Sequence, residues 1–310
     1  MPTASRLRSE QPCPAALEVT LVAFQNDGAV AEEADRLVRR LAAHGHRPQL
    51  RLLARDEPVA GPLWPADRTP PDLVVVLGGD GSILRTARWL GYGQVPVLGI
   101  NLGTLGFLAD SAPEESATVL DELAAGRFRL VEHLMFETEV LRDTRTIHRE
   151  LGLNETSILA GPPFSMIEID LFVDGEPATT YRADGLIVST PVGSTAYNLS
   201  AGGPIVRKDL DAFVFTPLSP HTLTTRPVVD SADRHYELEV ADPNEGSACV
   251  VDGRVIAALQ AGDRVRIRRA TPRFTLVETA RHGYYRTLRE KLGWGGGLRA
   301  ARRRPSGGRS

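Results

Sequence analysis

Lysine is almost absent from this chain. Of its 36 basic residues two are lysines, Lys208 and Lys291, and the other 34 are arginines. A Walker A loop needs a lysine directly after a glycine, but Arg207 precedes Lys208 and Glu290 precedes Lys291. P-loop nucleotide hydrolases are therefore excluded, and the Val-Ala-Ile-Lys pattern of protein kinases is missing as well. A lysine that forms a Schiff base would have to be one of these two.

Cysteines and long apolar runs are also scarce. Cys13 and Cys249 are too few for a zinc cluster or a disulfide framework, and we expect both to be free thiols in a reducing compartment. No apolar run approaches the roughly 18 residues that cross a bilayer. Glu10 and Gln11 interrupt any signal-peptide core near the N-terminus. These absences predict a soluble, cytoplasmic protein.

The charge balance argues against nucleic acid as a partner of the body of the chain, and the lack of an amphipathic membrane helix argues against a membrane. The net charge is -3, and residues 299–310 carry five arginines and no acid, so the remaining chain stands at -8. A body of that charge is a poor platform for a phosphate backbone. The 310 residues, of which 42% are hydrophobic, are enough for one large domain or two ordinary ones.

In the first half of the chain, strand and helix patterns alternate. We predict strands at 17–24, 49–53, 73–77 and 95–100, and helices at 27–44, 83–90 and 113–125. This alternation predicts an α/β domain, in which a parallel sheet carries helices on its faces.

The second half is dominated by strand patterns separated by turn signals such as Asp174-Gly175. The predicted strands lie at 136–141, 167–173, 186–189, 236–240, 249–251, 264–268 and 274–277, and a helix follows at 284–292. We therefore predict the fold class α/β plus all-β. An α/β domain over 17–126 precedes a β-rich, sandwich-like domain over 127–280. A closing helix over 281–294 returns to the first domain, and the ends 1–16 and 295–310 are flexible.

The most informative segment is the turn Gly78-Gly79-Asp80-Gly81-Ser82, which joins the buried strand 73–77 to a helix. Ligands of α/β sheets bind at the carboxyl ends of strands, where glycines and a helix start accept phosphate. Leu84 stands where a dinucleotide fingerprint has its third glycine. An aspartate inside a phosphate cradle needs a divalent cation, or a hydroxyl whose proton it accepts, and phosphoryl transfer uses both. The alternative is that Asp80 only caps the helix.

A second polar segment runs from Asp184 to Val206. Six hydroxyl-bearing residues lie in it within a dozen positions, followed by Gly202-Gly203: Ser189, Thr190, Ser194, Thr195, Tyr197 and Ser200. This density suits a polar ligand rich in hydroxyl and phosphate groups. The alternative is a serine and threonine turn with a helix cap.

These segments together resemble one family. The glycine turn is similar to the signature shared by NAD kinases, diacylglycerol kinases, sphingosine kinases and 6-phosphofructokinases. The segment 184–206 closely resembles the long NAD kinase signature, and the stretches 217–227 and 281–294 match a later loop and closing helix of that family. The resemblance to bacterial NAD kinases covers residues 17–294. It implies transfer of the γ-phosphoryl group of ATP, or of polyphosphate, to the 2′-hydroxyl of the adenosine ribose of NAD.

The resemblance also implies roles for individual residues. Asp80 falls on the catalytic aspartate, which accepts the hydroxyl proton and could help to hold a divalent cation, with Mg²⁺ as the first candidate. The implied NAD- and nucleotide-binding residues are Gly81, Arg85, Asn154, Glu155, Arg182, Asp184, Thr195, Ala196, Tyr197, Asn198, Leu199 and Ser200. Phe107 matches an apolar contact near the ligand, or is a core phenylalanine. The family further implies a homodimer or homotetramer.

Two residues depart from the family pattern. Val192 stands where the family usually has threonine or serine, so one polar contact is lost or replaced there. Arg254 stands where glutamine is frequent, and it either faces a phosphate or faces solvent.

Two other functions stay open: a lipid kinase with the same glycine turn, and a dinucleotide-binding regulator that has lost its chemistry. An assay for NADP formation separates all three.

Overall fold

The computed structural model describes residues 5–11, 13–14, 16–24, 28–54, 69–103, 106–109, 111–222, 224–279 and 283–294. The whole of the predicted C-terminal end at 295–310, residues 1–4 of the predicted leader and the predicted start of the closing helix at 281–282 lie outside these residues. No helix of the described ranges is both long and apolar enough to cross a membrane.

The first part of the chain builds a sheet with helices on both faces, as predicted. Its elements are β1 (Glu18–Ala23), α1 (Gly28–Ala43), β2 (Arg47–Leu52), β3 (Leu73–Leu77), α2 (Asp80–Leu90), β4 (Val97–Ile100), α3 (Ser116–Ala124) and β5 (Phe128–His133). Side chains of β3 alternate between the two faces. Leu73, Val75 and Leu77 pack with α1 and α3 in one core, whereas Val74 and Val76 pack with α2 in another. This two-sided burial explains the unbroken apolar run.

The second part forms two antiparallel sheets. Its elements are β6 (Phe136–Arg142), β7 (Arg145–Gly152), β8 (Glu155–Leu159), β9 (Ile167–Val173), β10 (Glu176–Ala183), β11 (Gly185–Ser189), α4 (Tyr197–Ser200), β12 (Ala212–Leu218), β13 (Val228–Ser231), β14 (Tyr236–Val240), β15 (Ala248–Val251), β16 (Arg254–Ala258), β17 (Arg264–Arg269), β18 (Phe274–Thr279) and α5 (Tyr284–Leu292). The strand orders are β10-β9-β14-β17-β6-β7 and β13-β12-β11-β8-β15-β16. Their inner faces share one apolar core that includes Phe136, Phe213 and Tyr236. This confirms the predicted sandwich.

Two strands cross the predicted boundary between the domains. The first sheet has the order β2-β1-β3-β4-β18-β5, so β5 and β18 complete it although both follow residue 126. β18 runs parallel to β4 and antiparallel to β5. The division at 126/127 stays a prediction, but the sheet itself is not built from residues 17–126 alone.

Helix α2 is the element on which the sandwich packs against the first sheet. Its buried Ile83 and Ala87 share an apolar cluster with Leu151, Leu153 and Val192 of the second part. The sequence pattern placed the helix start at residue 83 because Asp80, Gly81 and Ser82 are weak helix formers. The structure begins it at Asp80. The shared cluster brings α2 and the chain around Leu151 and Leu153 into one region of the molecule.

Candidate active site

The glycine turn opens onto a cavity of about 440 Å³ at the carboxyl end of β3. Gly78, Gly79, Gly81 and Ser82 line it together with Arg85 and the chain just after β4. Gly78 has a φ of 147°, and a Cβ there would lie 2.8 Å from the Cβ of Ser82, so only glycine fits without displacing its neighbour. The backbone N–H groups at the start of α2 favour an anion in this cavity.

The carboxylate of Asp80 is fixed by the backbone of a distant loop. Gly79, not Asp80, is the N-cap residue of α2, and no side chain of the described residues caps it. Oδ1 of Asp80 instead accepts the N–H groups of Leu108 at 2.9 Å and Ala109 at 3.0 Å, and Oδ2 accepts that of Phe107 at 2.8 Å. The helix-cap alternative is therefore wrong.

The same hydrogen bonds determine which oxygen of Asp80 is available. A carboxylate offers about four lone-pair sites, two on each oxygen. Within the described part of the chain Oδ1 has both of its sites taken, whereas Oδ2 has one donor and keeps one site. Oδ2 is thus the oxygen that can accept a proton from a ligand.

The loop that holds Asp80 is stabilised by its own hydrogen bonds. The N–H of Gly106 donates to the carbonyl of Ala109 at 2.9 Å. The buried amide of Asn101 donates to that same carbonyl at 3.2 Å and accepts the N–H of Gly103 at 2.8 Å. At Gly106 a Cβ would lie 2.8 Å from the carboxyl carbon of Asp80, so this position must stay bare for the carboxylate to fit.

Arg85 lies one helical turn beyond Gly81, as predicted, and lines the cavity. Its guanidinium carbon lies 4.4 Å from the ring centroid of Phe24, and Nη1 donates to the carbonyl of Ala54 at 3.2 Å. The ring contact holds the cation beside the cavity without neutralising it. Its contact with a phosphate stays a prediction.

Asn154 and Glu155 are held by a second anchored carboxylate, Asp252. The N–H groups of Leu153, Asn154 and Glu155 donate to it at 2.9, 2.8 and 3.2 Å. The sequence analysis identified Asp252 only as part of an Asp-Gly turn. No local pattern indicates that its carboxylate accepts hydrogen bonds from a segment that ends at Glu155, 97 residues away.

Burial shifts the pKa of Glu155, which forms a carboxyl pair with Asp252. It is 7% exposed, and burial together with the nearby charge of Asp252 raises its pKa to about 8. A backbone hydrogen bond with Tyr197 acts in the opposite direction. Burial also raises the pKa of Asp252, but three N–H donors favour its charged form, so we assign the charge to Asp252 and the proton to Glu155.

Three of the six predicted ligand hydroxyls serve the fold instead. Ser189, Thr190 and Ser194 are buried, and each donates to a backbone carbonyl: Thr190 to Leu153 at 2.6 Å, and Ser194 to Pro191 at 2.6 Å. For these three the turn-and-cap alternative describes the structure. Ser189 and Thr190 join the end of β11 to the chain that carries Asn154, whereas Ser194 bonds within its own segment, to Pro191 and Val206.

The predicted binding residues from 195 to 200 differ in what they present. Tyr197 is 40% exposed and Ser200 is exposed, whereas Thr195, Ala196 and Leu199 are half-buried. Asn198 is buried; its amide donates to the carbonyls of Ser194 and Pro204 and accepts the hydroxyl of Thr216 at 2.7 Å. It holds the turn, and its contact with a ligand stays a prediction.

Arg182 and Asp184 lie away from the other predicted residues. They come just before β11, while Ser189 and Thr190 come at its far end, so about 20 Å of extended chain separates the two groups. Both are exposed, and Arg182 pairs with Glu168 at 2.7 Å. Arg254 is exposed and lies 3.7 Å from Glu150, which also faces Arg88 at 3.8 Å.

Val192 and Phe107 complete the predicted set. Val192 is 4% exposed and belongs to the apolar cluster around α2, so the residue that departs from the family pattern packs in the core. Phe107 is half-buried and sits in the loop that holds Asp80.

Comparisons with family models and curated proteins point to one family. A model of the ATP-NAD kinase N-terminal domain matches residues 67–128, and a model of its C-terminal domain matches residues 153–279. The chain is 56% identical to an NAD kinase of Rhodopirellula baltica over 227 residues, which are 73% of each chain. It is 44% identical to an NAD kinase of Cellvibrio japonicus, over 73% of this chain and 76% of that one.

Solved structures show the same architecture. Yeast NADH kinase complexed with NADH superposes with a TM-score of 0.78 at 25% identity, covering 92% of this chain and 90% of that one. An NAD kinase from Archaeoglobus fulgidus in complex with ATP superposes with a TM-score of 0.69 at 26% identity, covering 89% and 98%.

The fold and the site are those of a phosphotransferase class in which a glycine-rich turn lines a cavity and a fixed carboxylate belongs to the same turn. The matches to both domain models and the identities with curated relatives place the family. The chain belongs to the NAD kinase family. This confirms the predicted family, fold class and function, and it decides against a lipid kinase.

Proposed function

We propose that this protein transfers the γ-phosphoryl group of ATP to the 2′-hydroxyl of the adenosine ribose of NAD, with Asp80 as the general base. The observation that carries the proposal is the acceptor site on Oδ2 that no described residue fills, on a carboxylate that three backbone N–H groups hold in place. This carboxylate belongs to the glycine turn, and the neighbouring residues Gly79, Gly81 and Ser82 line the cavity.

The chemistry follows from this arrangement. Oδ2 accepts the proton of the 2′-hydroxyl while the oxygen attacks the γ-phosphorus, and the bond to ADP breaks. The proton ends on Asp80 and leaves to solvent afterwards. A secondary alcohol is a weak nucleophile until its proton is taken, and a positioned base contributes roughly 10²- to 10⁴-fold. Because Asp80 is already fixed, little reorganisation precedes the transfer.

The phosphate groups would meet the backbone of the glycine turn and the guanidinium of Arg85. Gly79 and Gly81 line the cavity, and a Cβ on either would meet no atom within 4 Å, so the space above them is open to a ligand. With no Walker lysine in the chain, glycine amides and arginine supply the complement to phosphate charge.

Asn154 and Glu155 suit the hydroxyls of the dinucleotide. An amide both donates and accepts hydrogen bonds, and a protonated carboxyl group does the same. Because the pKa of Glu155 is about 8, this side chain keeps its proton at neutral pH and can donate to a ribose oxygen. Thr195, Ala196, Tyr197, Leu199 and Ser200 would form the neighbouring wall.

A divalent cation fits this site only as a companion of ATP. Among the described residues no group of three or more histidine, cysteine, aspartate or glutamate side chains is placed to hold a metal ion. Mg²⁺ commonly keeps several waters and binds through substrate phosphates and one or two carboxylates. Asp80 is the carboxylate that would approach it. The ion would neutralise phosphate charge.

The positions of Arg182 and Asp184 suggest a site completed by a second copy of the chain. The family resemblance assigns both to the dinucleotide, yet they lie at the far end of β11 from Asn154 and Glu155. In a homodimer or homotetramer, Arg182 and Asp184 of one copy could lie beside Asp80 of another copy. Their position in the fold would then be compatible with the dinucleotide-binding role that the family resemblance implies. The cytoplasmic location, the absence of nucleic-acid and membrane partners and the binding role of Arg254 stay predictions from the sequence.

The test is an assay of NADP formation with purified protein and Mg²⁺, in which ATP, other nucleoside triphosphates and inorganic polyphosphate are compared side by side. Phosphorus NMR of the product identifies the phosphorylated hydroxyl. We expect a 2′-phosphate and ATP dependence. Binding of NAD without any product would instead support the silent regulator.

A further inference from the structure

The two lysines of the chain meet at one residue. Nζ of Lys208 donates to the backbone carbonyl of Phe107 at 2.6 Å, and Nζ of Lys291 lies 5.7 Å from the centroid of the Phe107 ring. Phe107 follows Gly106 in the loop that holds Asp80. Thus the two lysines of a chain that otherwise uses 34 arginines both contact Phe107, a residue that helps to hold the proposed base Asp80.

The contact of Lys208 continues to the carboxylate through one peptide group. The carbonyl of Phe107 and the N–H of Leu108 belong to the same planar peptide. Its carbonyl accepts from Lys208 at 2.6 Å, and its N–H donates to Oδ1 of Asp80 at 2.9 Å. Hydrogen bonds in such a chain polarise one another, and a bond from an ammonium group is about twice as strong as a neutral one.

We propose that Lys208 is a positioning residue for Asp80, which acts through the Phe107–Leu108 peptide. This inference rests on the proposed role of Asp80 as the base. The ammonium group holds the peptide plane in the orientation that aims the Leu108 N–H at Oδ1, and it strengthens that N–H as a donor. Oδ1 is thereby kept occupied, which leaves Oδ2 turned toward the ligand.

The environment of Lys208 fits this role. The residue lies in the segment between α4 and β12 and is half-buried, so its charge is only partly screened by water. The contact joins two distant parts of the chain, 101 residues apart. A lysine head is a compact point charge that one carbonyl can accept.

Lys291 provides a matched control within the same molecule. It carries the same charge and contacts the same residue, but it touches the ring of Phe107 and not its peptide, and it is exposed near the end of α5. A cation–π contact made by an exposed lysine contributes little. Removing its charge tests whether any nearby lysine matters, or only the one bonded to the peptide.

The experiment compares Lys208→Met, Lys208→Arg and Lys291→Met with the wild-type protein, measuring kcat, KM for NAD and for ATP, and the melting temperature. We expect Lys208→Met to lower kcat by about 10-fold or more while both KM values stay within about threefold, because the lost charge-assisted bond leaves the carboxylate of Asp80 less firmly positioned and does not touch the binding groups. Lys208→Arg should recover most of kcat, and Lys291→Met should stay within about threefold of wild type.

Unchanged kcat in folded Lys208→Met, a rise of KM at constant kcat, or no recovery in Lys208→Arg would each overturn the inference. If Lys208→Met does not fold, Lys208→Gln is measured in its place and the same outcomes apply. Wild-type protein that forms no NADP refutes the proposed function itself. Wild-type protein that forms NADP beside an equally fast Lys208→Met refutes only the role of Lys208.

Discussion

Gly106→Ala tests whether the position of Asp80, and not merely its presence, determines the rate. The added Cβ would lie 2.8 Å from the carboxyl carbon of Asp80 and 3.0 Å from the carbonyl oxygen of Ala109, whereas ordinary contacts lie at 3.4–4 Å. The carboxyl carbon alone must therefore move by about 0.6 Å, the difference between 2.8 and 3.4 Å, and Oδ1 must move further.

A displacement of this size is large for catalysis, since misplacing a reacting group by about 1 Å can cost around 100-fold in rate. We expect kcat to fall about 10- to 100-fold while the dissociation constant of NAD, measured by calorimetry, stays within about threefold. The matched control is Gly28→Ala at the start of α1, where an added Cβ meets nothing within 4 Å. Wild-type kcat in a folded Gly106→Ala protein would refute the reasoning, because the site would then tolerate a shifted carboxylate.

Two further predictions concern Glu155 and Asp184. In the folded state Glu155 keeps its proton up to pH about 8, whereas its ordinary value is 4.5, so the free energy of unfolding should fall as the pH rises between these values. Glu155→Gln should flatten this slope in urea denaturation at pH 5 and pH 9, by at most about 5 kcal/mol; parallel curves would contradict the assignment. For a shared site, Asp80→Asn and Asp184→Ala should each be inactive alone but regain activity when co-refolded, and no regain would exclude site sharing.

The elements that depend on local pattern were predictable. β3 spans Leu73–Leu77 in the structure as in the prediction. A short unbroken apolar run is typical of a central strand that is covered by helices on both faces. α5 covers Tyr284–Leu292 as predicted. The sequence analysis missed strands with polar, exposed faces. In β10 the first five residues are exposed, and they show no alternation of apolar and polar residues.

The function of individual polar residues was less predictable. Thr190 and Ser194 look like ligand hydroxyls in the sequence, but the backbone takes both, and composition cannot distinguish a carbonyl in the protein from a phosphate in a ligand. The anchors of Asp80 lie 27 to 29 residues along the chain, and no periodicity connects them. Lys208 was visible as a rare residue, yet only the fold shows what it contacts.

The most direct test of the central claim is turnover by Asp80→Asn measured beside its binding of NAD. Asparagine keeps one acceptor oxygen, but its amide nitrogen would face the N–H of Phe107, so we also expect a loss of stability of about 1–3 kcal/mol. If Asp80 is the base, kcat falls by roughly 10²- to 10⁴-fold while the folded variant still binds NAD. Near-wild-type kcat in that folded, NAD-binding variant would contradict the account.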